Sequence, residues 1–230
     1  MSQDQLKMEA AESAAALVKD GMVVGLGSGS TAAFAVNAIG RRVKDGLRIV
    51  GIPTSEHTAA QARDLGIPLS DFEKYPSIDM TIDGADQVEK GSLNLIKGHG
   101  GALLREKIVA TVSKRLVIIV DSSKLVSRLA INYAVPVEVV PFGWQVTQRH
   151  LAKLGAKSDL RRTPDGALFV SDGGNYILDC TFQPDVAAAS MARELDHIVG
   201  VVEHGFFIGL TSAVHLADSD GVRILTQPIP

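Results

Sequence analysis

Residues 22–31 read Met22-Val23-Val24-Gly25-Leu26-Gly27-Ser28-Gly29-Ser30-Thr31, an apolar run that breaks into glycine and serine. Residues 31–43 then resume helical spacing, with alanines and Phe34, Val36 and Ile39 as the apolar positions. Strand, glycine loop and helix in that order open an α/β phosphate- or nucleotide-binding unit. The alternation extends both ways. Upstream, residues 6–18 carry apolar residues at helical spacing until Asp20-Gly21 stops them. Downstream follow a predicted strand at 47–52, a helix at 56–65, a strand at 78–82, a helix at 102–112 and a strand at 116–121. A chain built this way is expected to be α/β, with a Rossmann-like, mostly parallel sheet covered by helices on both faces.

After Tyr133 the order changes to strand 135–140, helix 144–154, strands 156–160 and 176–182, helix 186–195 and strand 199–203. That βαββαβ succession predicts an inserted ferredoxin-like α+β domain, with the polar, glycine-rich residues 162–175 as a connection that has room for a short extra strand. The expected division is residues 1–132 with 206–230 as the Rossmann-like catalytic domain and 133–205 as the inserted one. The last segment is too short to stand alone and is expected to return to the first sheet.

Bulk properties narrow the function classes. With 230 residues, 46% of them hydrophobic, the chain fills a core of its own. A net charge of −3 and the lack of a long Lys/Arg run speak against a nucleic-acid partner. One cysteine, Cys180, excludes an internal disulfide and a multi-cysteine zinc site, and it lies in an apolar strand, as a buried thiol would. Residues 1–20 are too polar for a signal peptide, and no apolar stretch approaches the roughly 18 residues that span a bilayer. A cytoplasmic protein without membrane contact is expected.

Four stretches carry chemistry. The loop Ser28, Gly29, Ser30, Thr31 brings N–H groups and hydroxyls to the positive end of a helix, suited to an anion. No Gly-Lys-Ser/Thr follows, so it is not a Walker loop. Gly27-x-Gly29-x-x-Ala32 satisfies a relaxed dinucleotide fingerprint, but Pro53-Thr54-Ser55 offers no acid for a ribose. A sugar phosphate, a dinucleotide and a plain tight turn all remain open at this point. Asp83-Gly84-Ala85-Asp86 ends an apolar strand, where open α/β sheets place ligands, and two close acids favour one raised pKa. An Asp-Gly turn with an Asx cap at Asp86 is the plain alternative.

The third stretch is Lys97-Gly98-His99-Gly100-Gly101-Ala102-Leu103-Leu104-Arg105-Glu106-Lys107, a glycine turn opening a helix. Lys97 is suited to a developing enediolate or to a phosphate. Leu104, Ile108 and Val112 define an apolar arc from whose centre Glu106 falls well away, so periodicity alone predicts an exposed glutamate. Asp121-Ser122-Ser123-Lys124 follows an apolar strand, a helix cap with a lysine within reach of the same region. The six histidines show no paired ligand spacing, and no metal site is expected.

Taken in order, these stretches, with Pro136-Val137-Glu138-Val139, Gly174-Asn175-Tyr176-Ile177-Leu178-Asp179 and residues 200–207, resemble the ribose-5-phosphate isomerase A family over nearly the whole chain. The resemblance implies interconversion of ribose 5-phosphate and ribulose 5-phosphate without a metal or organic cofactor, in the pentose phosphate pathway, by a homodimer or dimer of dimers. It implies Glu106 as the base, with Asp83, Asp86 and Lys97 as the other catalytic groups. Ser28, Gly29, Ser30, Thr31, Asp83, Gly84, Ala85, Asp86, Lys97, Gly98, His99, Gly100 and Lys124 would hold the substrate, and Lys7 matches a lysine near the phosphate in some relatives. Two positions depart from the family pattern: Gln87 replaces a glutamate and Ala130 a glycine. Other classes on such a scaffold are a sugar-phosphate sensor, for which no helix-turn-helix precedes residue 20, an amino-sugar phosphate deaminase and an acyl-CoA transferase.

Overall fold

The computed structural model describes residues 2–183 and 187–227. The chain runs α1 (Gln3–Ala15), β1 (Val23–Leu26), α2 (Ser30–Lys44), β2 (Val50–Pro53), α3 (Glu56–Asp64), β3 (Met80–Asp83), β4 (Gln87–Glu89), β5 (Leu95–Ile96) and α4 (Leu103–Thr111). It continues through β6 (Leu116–Asp121), β7 (Leu125–Val126), β8 (Val135–Val139), α5 (Trp144–Lys153), β9 (Lys157–Leu160) and β10 (Tyr176–Thr181). The last elements are α6 (Ala188–Leu195), β11 (Val201–His204), β12 (Phe206–Phe207), β13 (Ala213–Asp218) and β14 (Gly221–Thr226).

The first sheet has the order β14-β13-β6-β3-β1-β2, parallel throughout except where β14 folds back on β13. All six residues of β6 are buried, as a central strand covered on both faces requires. Helix α1 begins three residues earlier than its apolar pattern, because Ser2 and Gln5 form a capping box. Its alanines Ala10, Ala11, Ala14 and Ala15 let it lie close on β6, β13 and α2. Strand β1 pairs with β2 on one side and β3 on the other. The strand order therefore reverses at β1, and the loops that leave the carboxyl ends of β1 and β3 face one crevice.

The second sheet, β11-β8-β10-β9, is antiparallel, with α5 and α6 as its helices, which is the ferredoxin-like order expected from the sequence. Its core joins Val135, Val137 and Val139 to Leu151, Leu178, Cys180 and Leu195. Cys180 is fully buried, and burial pushes its thiol pKa up. In the connection before β10, an isolated bridge joins Arg162 to Leu168 in place of a full extra strand. The expected helix start at Val186 lies outside the described residues, as does the expected end of the chain at 228–230.

A third sheet, β12-β5-β4-β7, has no counterpart in the sequence reading. Phe206–Phe207 joins it before the chain returns to the first sheet as β13. No helix among the described residues is long and apolar enough to cross a membrane.

Candidate active site

Where the loops after β1 and β3 meet the turn before α4, the surface sinks into a cavity of about 470 Å³. Ser28, Gly29, Ser30, Thr31, Gly84, Ala85, Asp86, Lys97, Gly98, His99, Gly100, Glu106 and Lys124 all line it, and so does Lys7. Of the residues expected to hold the substrate or to act on it, Asp83 alone is absent from the lining.

The glycine loop is built to leave N–H groups open. Gly29 is the N-cap of α2, at φ 96°, and no side chain caps the helix. Below it lies a hydroxyl network: Ser28 Oγ donates to Ser55 Oγ at 2.7 Å and lies 2.7 Å from Thr54 Oγ1, while Thr58 Oγ1 donates to the Gly27 carbonyl at 3.0 Å. Lys7 Nζ donates to Ser30 Oγ at 3.2 Å, bringing α1 into the site. Asp121 caps a 3-10 turn at Ser122–Lys124, which presents Lys124 to the cavity, so the cap and the lysine serve together. Loop, helix end and two lysines bring together the chemistry that suits an anion.

Behind the glycine turn of 97–101 the charges are buried. Lys97 is 3% exposed. Its Nζ donates to the Gly84 carbonyl at 2.6 Å, lies 2.9 Å from Asp83 Oδ2 and donates to Glu106 Oε1 at 3.2 Å. The Phe207 ring sits beneath, 5.7 Å from the ammonium. Asp83 is held on its other oxygen, which accepts from Ser28 N at 3.1 Å and Gly84 N at 2.8 Å. This approach requires Gly27, since a Cβ there would lie 2.2 Å from Asp83 Oδ1.

Glu106 overturns the periodicity. It is 5% exposed, and the buried face of α4 is Leu103, Glu106, Val109 and Ala110, while Ile108 is 44% exposed. Its Oε2 is buried and has no hydrogen-bond partner among the described residues. Burial is the main cause that raises its pKa to about 8, against the pull of Lys97 and with Asp83 adding to the rise. Burial also raises the Asp83 carboxyl, against Lys97 and its two N–H donors. The neighbouring carboxylates raise Lys97 in turn, outweighing its own burial. One cation thus serves two buried carboxyls, and Asp83, with three donors to one for Glu106, is the better held as an anion.

Asp86 lines the cavity and accepts from His99 N at 2.9 Å, so it caps the glycine turn and not its own loop. Gln87 is absent from the lining. Its Oε1 accepts from Ala130 N at 3.0 Å, and Ala130 sits at φ 61°, a conformation that glycine adopts without strain, so one hydrogen bond joins positions 87 and 130.

Several lining residues escaped the sequence reading: Gln3, Ser55, His57, Ala102, Phe169, Val170 and Asp172. Ser55 caps α3 at the carboxyl end of β2, the same strand-end signal that marked Asp83, and was readable. Phe169, Val170 and Asp172 come from the connection before β10, where sequence distance hides them. Buried Glu138 anchors that connection by accepting from Ser171 Oγ at 2.6 Å and Asn175 Nδ2 at 3.0 Å. Asp172 Oδ2 then accepts from Glu56 N at 2.9 Å, and Arg105 bridges Glu56 and Asp172.

Beside the site, Asp196, Glu203 and His204 converge although their spacing gave no sign of it. Lys107 Nζ supplies the positive charge there, 2.5 Å from Glu203 Oε1 and donating to the His204 carbonyl at 2.7 Å.

The sequence profile described as ribose 5-phosphate isomerase A (phosphoriboisomerase A) matches residues 50–221. The ribose-5-phosphate isomerase A of Gloeobacter violaceus is 56% identical over 226 residues, 98% of each chain. The solved ribose 5-phosphate isomerase A from Methanocaldococcus jannaschii superimposes with a TM-score of 0.94 at 38% identity, covering 98% of this chain and 100% of its own. A solved D-ribose-5-phosphate isomerase in complex with phospho-erythronic acid gives 0.94 at 36% identity, covering 99% and 100%. Agreement over essentially the whole of both chains makes this protein an enzyme of the ribose-5-phosphate isomerase A family.

Proposed function

We propose that the enzyme interconverts D-ribose 5-phosphate and D-ribulose 5-phosphate by metal-independent proton transfer through an enediolate, serving the non-oxidative branch of pentose phosphate metabolism. The observation that carries this reading is Glu106: a buried carboxyl with a raised pKa and an oxygen that has no partner among the described residues, on the cavity wall beside Lys97. Glu106 takes the proton from C2 of the open aldose and returns it to C1, while the O2 hydroxyl proton passes to O1, leaving the alcohol at C1 and the carbonyl at C2. Lys97 and the N–H groups of the glycine turn hold the oxygen that becomes negative. Asp86, on the wall, assists opening of the furanose, and Asp83, behind it, positions Lys97. The loop Ser28–Thr31 with Lys7 and Lys124 grips the phosphate, so a group that does not react positions the carbons that do. A relative bound to phospho-erythronic acid supports this assignment, because that acid pairs a phosphate with a carboxylate charged where an enediolate would be. A cytoplasmic homodimer or dimer of dimers completes the proposal, to be checked by sedimentation. The function itself is tested by following ribulose 5-phosphate formation with EDTA present. Undiminished turnover is expected, and loss of activity that added divalent metal restores would refute metal independence.

A further inference from the structure

Arg161, immediately after β9 in the inserted unit, is absent from the cavity lining yet reaches the turn that forms the cavity's floor. Its Nη1 donates to the carbonyls of Gly98 and His99, both at 2.9 Å. The rest of the guanidinium is taken by Asp179 in β10, with Nε donating to Oδ2 at 2.9 Å and Nη2 pairing with Oδ1. The side chain is 10% exposed, and its guanidinium carbon lies 5.8 Å from the centre of the Phe169 ring. That ring fills the space a side chain at Gly101 would need, with Phe169 Cζ 2.3 Å from the place of a Cβ there.

Peptide geometry turns these contacts into a constraint on the reaction. Each peptide here is trans and planar, so its C=O and the following N–H point in opposite directions. A guanidinium that fixes the Gly98 carbonyl therefore also fixes the N–H of His99, which donates to Asp86 Oδ2 at 2.9 Å. By the same argument, fixing the His99 carbonyl turns the N–H of Gly100 away from Arg161. That N–H donates to no acceptor among the described residues, and Gly100 lines the cavity. A cation on each carbonyl also polarises the peptide and makes the opposite N–H a stronger donor.

We infer that Arg161, held by Asp179, is a positioning residue for the isomerisation: it aims the Gly100 N–H at the oxygen that becomes negative in the enediolate and sets the Asp86 carboxylate through His99. The inference rests on the proposed chemistry. It gives the inserted unit a part in the proton-transfer step, separate from the phosphate grip of Ser28–Thr31, Lys7 and Lys124. Lysine at 161 keeps the charge but loses the planar fork that serves two carbonyls and a carboxylate at once.

The test measures kcat, KM and inhibition by inorganic phosphate for wild type, Arg161→Lys and Asp179→Asn. Arg161→Lys is expected to lower kcat on the order of thirtyfold while KM and phosphate inhibition stay within about threefold. Asp179→Asn, which loosens the guanidinium but keeps it, is expected to lower kcat about fivefold with the same split. Should Arg161→Lys fail to fold, Asp179→Asn carries the test alone. Unchanged kcat in every folded variant overturns the inference, and so does an equal loss of phosphate inhibition, which would mean a general collapse of the site. The underlying chemistry fails separately: it falls if wild type takes up no solvent deuterium at C2, whereas a wild type that does so and variants that match its rate remove Arg161 alone.

Discussion

Two sets of cationic groups meet in the same cavity under opposite conditions. The set proposed to grip the phosphate, Lys7, Lys124 and the open end of α2, is reached by solvent, with Gly29 and Ser30 exposed and both lysines partly so. The carbon-facing set, Lys97 with Asp83 and Glu106, is almost dry. In water a charge is cheap to keep and weak in effect, which suits binding an anion that stays charged throughout. In a dry site every ionisation is expensive unless a neighbour compensates, so moving one proton shifts the whole cluster. Solvent exposure therefore separates gripping from reacting, and variants in the two sets should fail in different ways.

The largest effect is expected in the dry set. Glu106→Gln removes the base without changing its shape and should lower kcat by at least about a hundredfold, with the fold intact by circular dichroism. In wild type the base works only when ionised, so kcat/KM should rise as pH increases through about 8, the raised pKa of Glu106. A profile flat across that range would move the base elsewhere. Gly27→Ala comes next: its Cβ would displace Asp83, and through it Lys97, so kcat should fall on the order of tenfold to a hundredfold with phosphate inhibition retained.

In the solvated set, Lys7→Ala and Lys124→Ala should each raise KM about five- to tenfold with kcat within about threefold, since the contact is made equally before and during the reaction. A kcat collapse in either variant would erase the distinction between the sets. A separate effect is on stability. Glu106 has a folded pKa above its unfolded value of 4.5, so its contribution is fully present below about 4.5 and is lost as pH rises to about 8. The melting temperature of Glu106→Gln should therefore gain on wild type across that interval and hold its lead above it. Parallel melting curves across the interval would contradict a buried, costly Glu106 anion.

The same contrast explains what could be read from the sequence. Residues 22–31 and the strand-end clusters revealed the parallel sheet and the lining residues of the loops that follow β1 and β3, because strand ends at a reversal of strand order face one crevice whatever the side chains do. Glu106 was legible only through resemblance. A helical wheel sorts residues by apolarity, and this carboxyl is buried by a lysine nine positions away that the wheel does not contain. The third sheet was hidden because its strands run two or three residues and leave no alternation to detect. Phe169 and Asp172 were hidden because their loop reaches the cavity from the inserted unit, anchored by Glu138 about thirty residues upstream.

The central claim is that Glu106 moves a proton through an enediolate, as opposed to a hydride passing directly between C2 and C1. It is tested most directly by incubating the enzyme with ribose 5-phosphate in deuterated water and following the C2 and C1 positions by NMR. The account predicts deuterium in the recovered sugars with wild type and almost none with Glu106→Gln, at equal phosphate inhibition. Interconversion by wild type without solvent deuterium, or undiminished labelling by Glu106→Gln, would contradict it.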